Sequence, residues 1–239
     1  MSVYGEGSYH CQQCGGVRPE LRSVNHPVSH TVHWDPLCPI CSGVIQPVLT
    51  VESAERRGES IYAVTKKAQE DLLAGVCRQL NIPLTVLRYS AVLGAGQSWH
   101  NPFTRVLEML ASQQAPIVHE DGQQTRDFIF VDDVVEANAR VLANQDALVD
   151  FYNVSALHMP LVDFVRLLSA SMSGALSTPL LEPIVDGRLI PGDVRHCWVN
   201  SSRLQEKLGY RPNSAAHQGV RDLVDWFVRF KGLATNRIV

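Results

Sequence analysis

Ser60-Ile61-Tyr62-Ala63-Val64-Thr65-Lys66 opens a stretch that continues to Leu80 and then, past Asn81-Ile82-Pro83, enters Leu84-Thr85-Val86-Leu87-Arg88-Tyr89. Ile61, Val64, Ala68, Leu72, Val76 and Leu80 recur at three- and four-residue spacing, which predicts an amphipathic helix over 60–80 with Ser60 as its N-cap. The β-rich run 84–89 predicts a strand, closed by the Gly94-Ala95-Gly96 break. A helix feeding a strand in this way is the pattern of an α/β fold.

Tyr62 and Lys66 stand four residues apart on that helix and therefore project side by side. A phenol near its ordinary pKa of about 10 is a poor base at neutral pH, but a fixed cation beside it favours the phenolate. Such a pair can exchange a proton with a hydroxyl held beside it. With six tyrosines in the chain, the spacing alone carries little weight.

Downstream, helices are expected over Phe103–Ala111, Asp132–Asn144, Leu161–Met172 and Gln218–Phe230, with Val134, Val135, Ala139 and Leu142 as the apolar positions of the second. Ile117-Val118 and Phe151-Tyr152-Asn153-Val154 read as strands. The 239 residues are 45% hydrophobic and 19% charged, enough to bury a core and too ordered in composition for a disordered chain. A formal charge of −3 without a basic stripe argues against general nucleic-acid binding. No apolar run approaches 18 residues and no secretory segment opens the chain, so no membrane partner is expected and a cytoplasmic location follows.

The second strong signal is Cys11-x-x-Cys14 with Cys38-x-x-Cys41, two knuckles with 23 residues between them. Four thiolates in this arrangement suit tetrahedral zinc, and the spacing is close to that of a zinc ribbon. Gly15, Gly16 and Gly43 are expected to let the chain turn so that amides point at sulfur. His10, His26, His30 and His33 could replace a thiolate, and free or disulfide-bonded cysteines are the competing reading. Cys77 and Cys197 are isolated and read as buried small side chains.

Taken together, several segments resemble the extended short-chain dehydrogenase/reductase family, in its NAD-dependent nucleotide-sugar epimerase and dehydratase branch. They are Ser2-Val3-Tyr4-Gly5-Glu6-Gly7, Tyr62 to Lys66, Leu87-Arg88-Tyr89, then Glu120-Asp121-Gly122 through Thr125-Arg126-Asp127-Phe128 to Val131-Asp132-Asp133-Val134, which resembles the family's substrate-binding hairpin and its helix, and finally Pro191-Gly192-Asp193-Val194-Arg195-His196 and Leu208-Gly209-Tyr210-Arg211-Pro212. The resemblance implies an α/β fold: a partial Rossmann-like parallel sheet from residues 1–7 and 59–100, and a mainly substrate-binding α+β region over 101–239 that returns a strand and a helix to the sheet. The ribbon, residues 8–58, reads as an insertion. The resemblance further implies Tyr62 and Lys66 as catalytic and cofactor-binding, Ser90 beside the cofactor, and Asn101, Arg126 and Asp193 at the substrate. NAD, a nucleotide sugar and a homodimer follow from the same source.

The chain also departs from the pattern. The family's Gly-x-x-Gly-x-x-Gly turn, which brings backbone amides to the dinucleotide pyrophosphate, is absent from the sequence. The family's catalytic Ser or Thr would fall one position before Met1, so on the order of 110 further residues are expected for a whole cofactor domain. Ala91 and Ile190 stand where relatives carry an asparagine and an arginine for the diphosphate, with Arg188 or Arg195 as possible compensation. Met1 and Ser2 replace the Asp-Glu pair of dehydratases, which favours an epimerase over a 4,6-dehydratase. A catalytically inactive relative that uses its zinc ribbon for interaction is the alternative.

Overall fold

The strand Leu84–Tyr89 exists as expected and pairs in parallel with Val149–Val154, in register from Leu84 opposite Val149 to Tyr89 opposite Val154. It belongs to a computed structural model that describes residues 1–22, 34–144, 149–212 and 216–233. A short 3-10 turn, Ser2–Tyr4, precedes β1 (Ser8–Cys11), β2 (Gly15–Val17) and β3 (Ile45–Val48). Helix α1 (Ile61–Leu80) leads to β4 (Leu84–Tyr89), β5 (Ala91–Leu93), α2 (Pro102–Ala111), β6 (Ile117–Val118), β7 (Thr125–Phe130) and α3 (Val131–Ala143). Then follow β8 (Val149–Val154), β9 (Leu157–Pro160), α4 (Leu161–Leu176), β10 (Ile184–Val185), α5 (Ser202–Leu208) and α6 (Ala216–Phe230).

Three parallel pairs, β4 with β8, β5 with β7 and β6 with β10, make this a Rossmann-like α/β protein. The Ala156 amide, just after β8, donates to the Phe128 carbonyl of β7 at 3.0 Å and so stitches the first pair to the second. Both faces of β7 are buried: Phe128 and Phe130 enter one core, and Ile129 enters the other. In the larger core the Phe128 and Phe164 rings stack with centroids 4.0 Å apart, packed by Leu168 of α4 and by Leu223 and Phe227 of α6. Each such side chain removed from water contributes about 1.5–3 kcal/mol. The smaller core joins Ala137 and Val141 of α3 to Tyr152 and Val154 of β8 and to Leu204 and Tyr210.

Three expectations need correction. The segment from Glu120 to Phe128 does not close as a hairpin, because β6 pairs with β10 while β7 lies between β5 and β9. On α3, Asp133, Ala137 and Val141 face inward, whereas Val135, Ala139 and Leu142 are exposed. The stripe at four-residue spacing that meets the sheet thus starts on an acidic residue, which an apolar count skips. The predicted apolar stripe of α1 is exposed too: Ile61 is 87% accessible, Leu72 67% and Leu80 61%, while the helix buries Ala63, Glu70 and Ala74. Buried Glu70 is matched by Arg88 of β4, whose Nε and Nη2 donate to its two oxygens at 2.9 and 2.7 Å. Pairing of this kind is what lets two charges leave water.

Residues 8–17 and 45–48 form a separate small sheet in the order β2-β1-β3, all antiparallel. It is tied to the remainder by Thr50, whose amide donates to the Trp198 carbonyl and whose carbonyl accepts from Asn200, each at 2.9 Å.

Candidate active site and thiol cluster

Helix α1 starts where Ser60 Oγ accepts the Ala63 amide at 3.1 Å, so the cap predicted from the sequence fixes the register that presents Tyr62 and Lys66. Both line a cavity of about 630 Å³ whose other walls include Met1, Ser2, Val3, Glu70, Arg88, Ser90 and Ala91. Tyr62 is 62% accessible, and the Lys66 Nζ lies 5.6 Å from its ring centroid. Lys66 also donates to Gln69 Oε1 at 3.3 Å. The turn carrying Ser2 and Val3 is held at the mouth of this cavity by the Met1 amine, which donates to the Tyr89 carbonyl at 3.0 Å.

Tyr4 follows in that turn and is buried. Its hydroxyl accepts from Arg88 Nη1 and donates to Asn153 Oδ1 at 2.8 Å. Burial raises its pKa and the Arg88 guanidinium opposes the rise. Gly5 is required next: φ is +59°, and a Cβ there would overlap the Glu59 carboxylate at 1.9 Å.

Of the residues expected at the substrate, Arg126 and Asp193 meet each other. Arg126 Nη2 donates to both Asp193 oxygens at 2.9 Å, and its Nη1 donates to the carbonyls of Thr125 and Arg195. Asn101 serves α2 as N-cap, accepting from the Phe103 amide at 2.9 Å. Arg195 is not a spare phosphate ligand: buried, it already donates to Asp35, Glu120 and Asp121. Arg188 is exposed and bonds His119.

Arg195 belongs to a buried ionic network that the sequence did not reveal. Arg22 Nη2 lies 2.8 Å from Glu120 Oε1, and Glu6 takes the Arg195 amide on its two oxygens at 2.9 and 3.0 Å. Burial pushes the Glu6 carboxyl up to about 7 against that amide and the Arg22 charge. Asp35 is held below the usual carboxylate range by its bonds to His196 and Arg195. Nothing in the spacing of these residues marks them. Only the packing of Glu6, Arg22 and Asp35 against 120–121 and 193–196 brings them together.

The four cysteines converge. The sulfurs of Cys11, Cys14, Cys38 and Cys41 all lie within 4.8 Å of one another, a donor set that fits one tetrahedral ion. The first knuckle turns at Gly15, with φ of +77°. The second turns at Ser42, with φ of +58°, and not at Gly43, where a Cβ would press on Cys41 Sγ at 3.3 Å. Burial works against a Cys38 thiolate, yet the amides of Cys41 and Ile40 bring its pKa down to about 7. His10 is exposed, and His26, His30 and His33 lie outside the described residues. Cys77 and Cys197 are free and half-buried, less enclosed than expected.

The parallel strand pairs with the Tyr-x-x-x-Lys helix beside them define the class of fold, a Rossmann-type α/β protein. The profile of the NAD dependent epimerase/dehydratase family matches residues 45–155, a match that begins inside the 8–58 segment. Over those residues the chain is similar to that family. It is 29% identical over 233 residues to a dTDP-L-rhamnose 4-epimerase from Burkholderia thailandensis, covering 95% of this chain and 61% of the relative. A UDP-glucuronic acid 4-epimerase from Bacillus cereus, solved with UDP-glucuronic acid and NAD, superposes with a TM-score of 0.67 at 22% identity, over 77% of this chain and 58% of that one. DesIV, a dTDP-glucose 4,6-dehydratase from Streptomyces venezuelae solved with NAD, gives 0.68 at 20%, over 78% and 56%. The chain thus spans between half and two thirds of the length of these relatives. Among the described residues no helix is long and apolar enough to cross a membrane.

Proposed function

We propose that the protein takes part in NAD-dependent epimerisation of a nucleotide sugar, with Tyr62 as proton acceptor and donor at the sugar hydroxyl. The observation that carries this reading is the shared cavity of Tyr62, Lys66 and Ser90 beside β4. NAD, when bound, supplies the hydride acceptor. Lys66 would face its ribose and stabilise charge on the Tyr62 oxygen, and Ser90 lies at the strand end against which the nicotinamide would rest. Arg126 and Asp193 would present the diphosphate clamp, Arg126 opening from its ion pair to take phosphate bidentately. Asn101 stands at the start of α2 as a third substrate contact.

Residues 1–7 and 59–100 would form the cofactor side and 101–239 mainly the substrate side. The 239 residues contain no glycine-rich turn to bring backbone amides to the pyrophosphate. The exposed stripe of α1 would pack on a second copy of the chain in a homodimer. Epimerisation is favoured over dehydration because Met1 and Ser2 carry no acid pair.

The test is turnover of UDP-glucuronic acid and dTDP-L-rhamnose by the whole protein with NAD, read as the C4 epimer. Tyr62→Phe is expected to lower turnover by about 10²–10⁴-fold with NAD affinity nearly unchanged. Retained turnover removes Tyr62 from this role.

The four thiols we assign to zinc. With four protein ligands and no open position, the ion would be structural. The expected content is one zinc per chain, lost in Cys38→Ser, and unchanged metal in that variant overturns the assignment.

A further inference from the structure

The segment that carries the thiols also reaches into the region of Arg126 and Asp193. Arg22, only 3% accessible, pairs with Glu120 and donates to the carbonyls of Asp193 and Trp34, each at 3.3 Å, while its own carbonyl accepts the Gly192 amide at 2.9 Å. Asp35, three residues before Cys38, accepts from Arg195 Nε at 2.6 Å and lies 3.2 Å from His196 Nε2. Tyr9, between the thiol knuckle and Glu6, donates to Glu6 at 3.1 Å, and Glu6 in turn takes the Arg195 amide. Apart from the Arg22–Trp34 and Tyr9–Glu6 bonds, these contacts fall on Glu120 or on 192–196, the two segments that frame the Arg126–Asp193 pair.

Buried charge makes the connection stiff. Arg22 stands between Glu120 and Glu6, and Arg195 between Asp35, Glu120 and Asp121. Withdrawing the Arg22 guanidinium would leave Glu6 buried without a counter-charge and Glu120 with Arg195 alone, a state that proteins avoid by moving the backbone or taking up a proton. A planar fork is needed at Arg22 because its donors go to a carboxylate and to main-chain oxygens on different segments.

We propose that Arg22 and Asp35 are positioning residues for the Arg126–Asp193 pair, so that the thiol-bearing segment is a structural wall of the nucleotide-sugar site and metal capture by the thiols sets the shape of that site. This rests on the reading of Arg126 and Asp193 as substrate contacts and of the thiols as a zinc site. The wall is built from two residues between the knuckles, Arg22 eight positions after Cys14 and Asp35 three before Cys38. Loss of the ion therefore transmits directly to 192–196.

The test is hydrogen exchange by mass spectrometry on the zinc-loaded protein. Arg22→Met is expected to keep its zinc and to exchange at least tenfold faster in 118–127 and 187–197, with α4 and α6 unchanged. Arg22→Lys is expected to recover slow exchange around Glu120 but not at 192–195, since an ammonium reaches one carboxylate and cannot also span to the Asp193 carbonyl. Should Arg22→Met fail to fold, Asp35→Asn, which removes one charge at a half-exposed position, is expected to loosen 193–197 alone. Chelation of zinc from the unmodified protein is expected to loosen the same peptides. Unchanged exchange in Arg22→Met and Asp35→Asn overturns the positioning role. Loosening confined to 8–17 and 34–48 on chelation overturns the coupling to metal. Absence of metal in the unmodified protein defeats the zinc assignment and the coupling with it, while the Arg22 variants still decide the positioning role by themselves.

Discussion

Helices α4 and α1 are both amphipathic, and they meet opposite fates. In α4 the apolar stripe of Phe164, Leu168 and Met172 is sealed beneath β7 and α6. In α1 the stripe of Ile61, Leu72 and Leu80 lies open, and the helix is held by its small residues and by the Glu70–Arg88 pair. The strands beside them differ likewise, since β7 is paired on both edges whereas β4 pairs only with β8 among the described residues. Periodicity therefore reports which face of an element is apolar. It is silent on whether the chain itself provides the cover. An open apolar face and a free strand edge mark the side on which a further layer belongs.

That contrast can be broken by mutation. The largest effect is expected on the sealed side, where Phe164→Ala should lose about 3–5 kcal/mol in denaturant unfolding. A loss below about 1 kcal/mol would mean that this core is not the stable one. At the junction of the ribbon with the substrate region, the effect should depend on pH. Burial holds the Glu6 carboxyl near 7, above its ordinary 4.5, so the folded state binds that proton more tightly than the unfolded chain. This term favours folding most at low pH and fades as pH rises from about 4.5 to 7, by on the order of 1–3 kcal/mol. Glu6→Gln has no proton to release and should flatten that slope, which stability measured across this range would show. At the head of α1, Ser60→Ala removes the cap bond and should cost about 1 kcal/mol. The smallest effect is expected on the open face, where Leu72→Glu should change the stability of the isolated chain by less than about 0.5 kcal/mol while reducing self-association in light scattering. A loss as large as that of Phe164→Ala would show the face to be covered in solution.

The sequence disclosed what local chemistry determines. Ser60 and the spacing to Leu80 placed α1 almost to the residue, and the two Cys-x-x-Cys pairs placed a cluster that the fold brings within 4.8 Å. The resemblance to the family was legible because its motifs are short runs of contiguous residues, such as Tyr62 to Lys66. What escaped were meetings between distant segments. Arg22 and Asp35 look like ordinary polar residues of a loop, and their partners lie about 100 to 170 residues further on. Asp133 was missed as an inward position because a buried acid breaks an apolar count, and the supposed hairpin at 120–128 failed because β6 finds β10 instead of β7. Arg126 and Asp193 were each picked out singly, but the ion pair between them could not be read from either motif.

The most direct test of the open-side account is a calorimetric titration of the 239-residue chain with NAD. Tyr62, Lys66 and Ser90 offer contacts to one end of the dinucleotide, while the sequence holds no glycine-rich turn for the pyrophosphate. The account predicts no saturable heat up to about millimolar NAD. A dissociation constant near about 1 μM, roughly 8 kcal/mol of binding free energy, would contradict it by showing that the chain already holds a complete cofactor site.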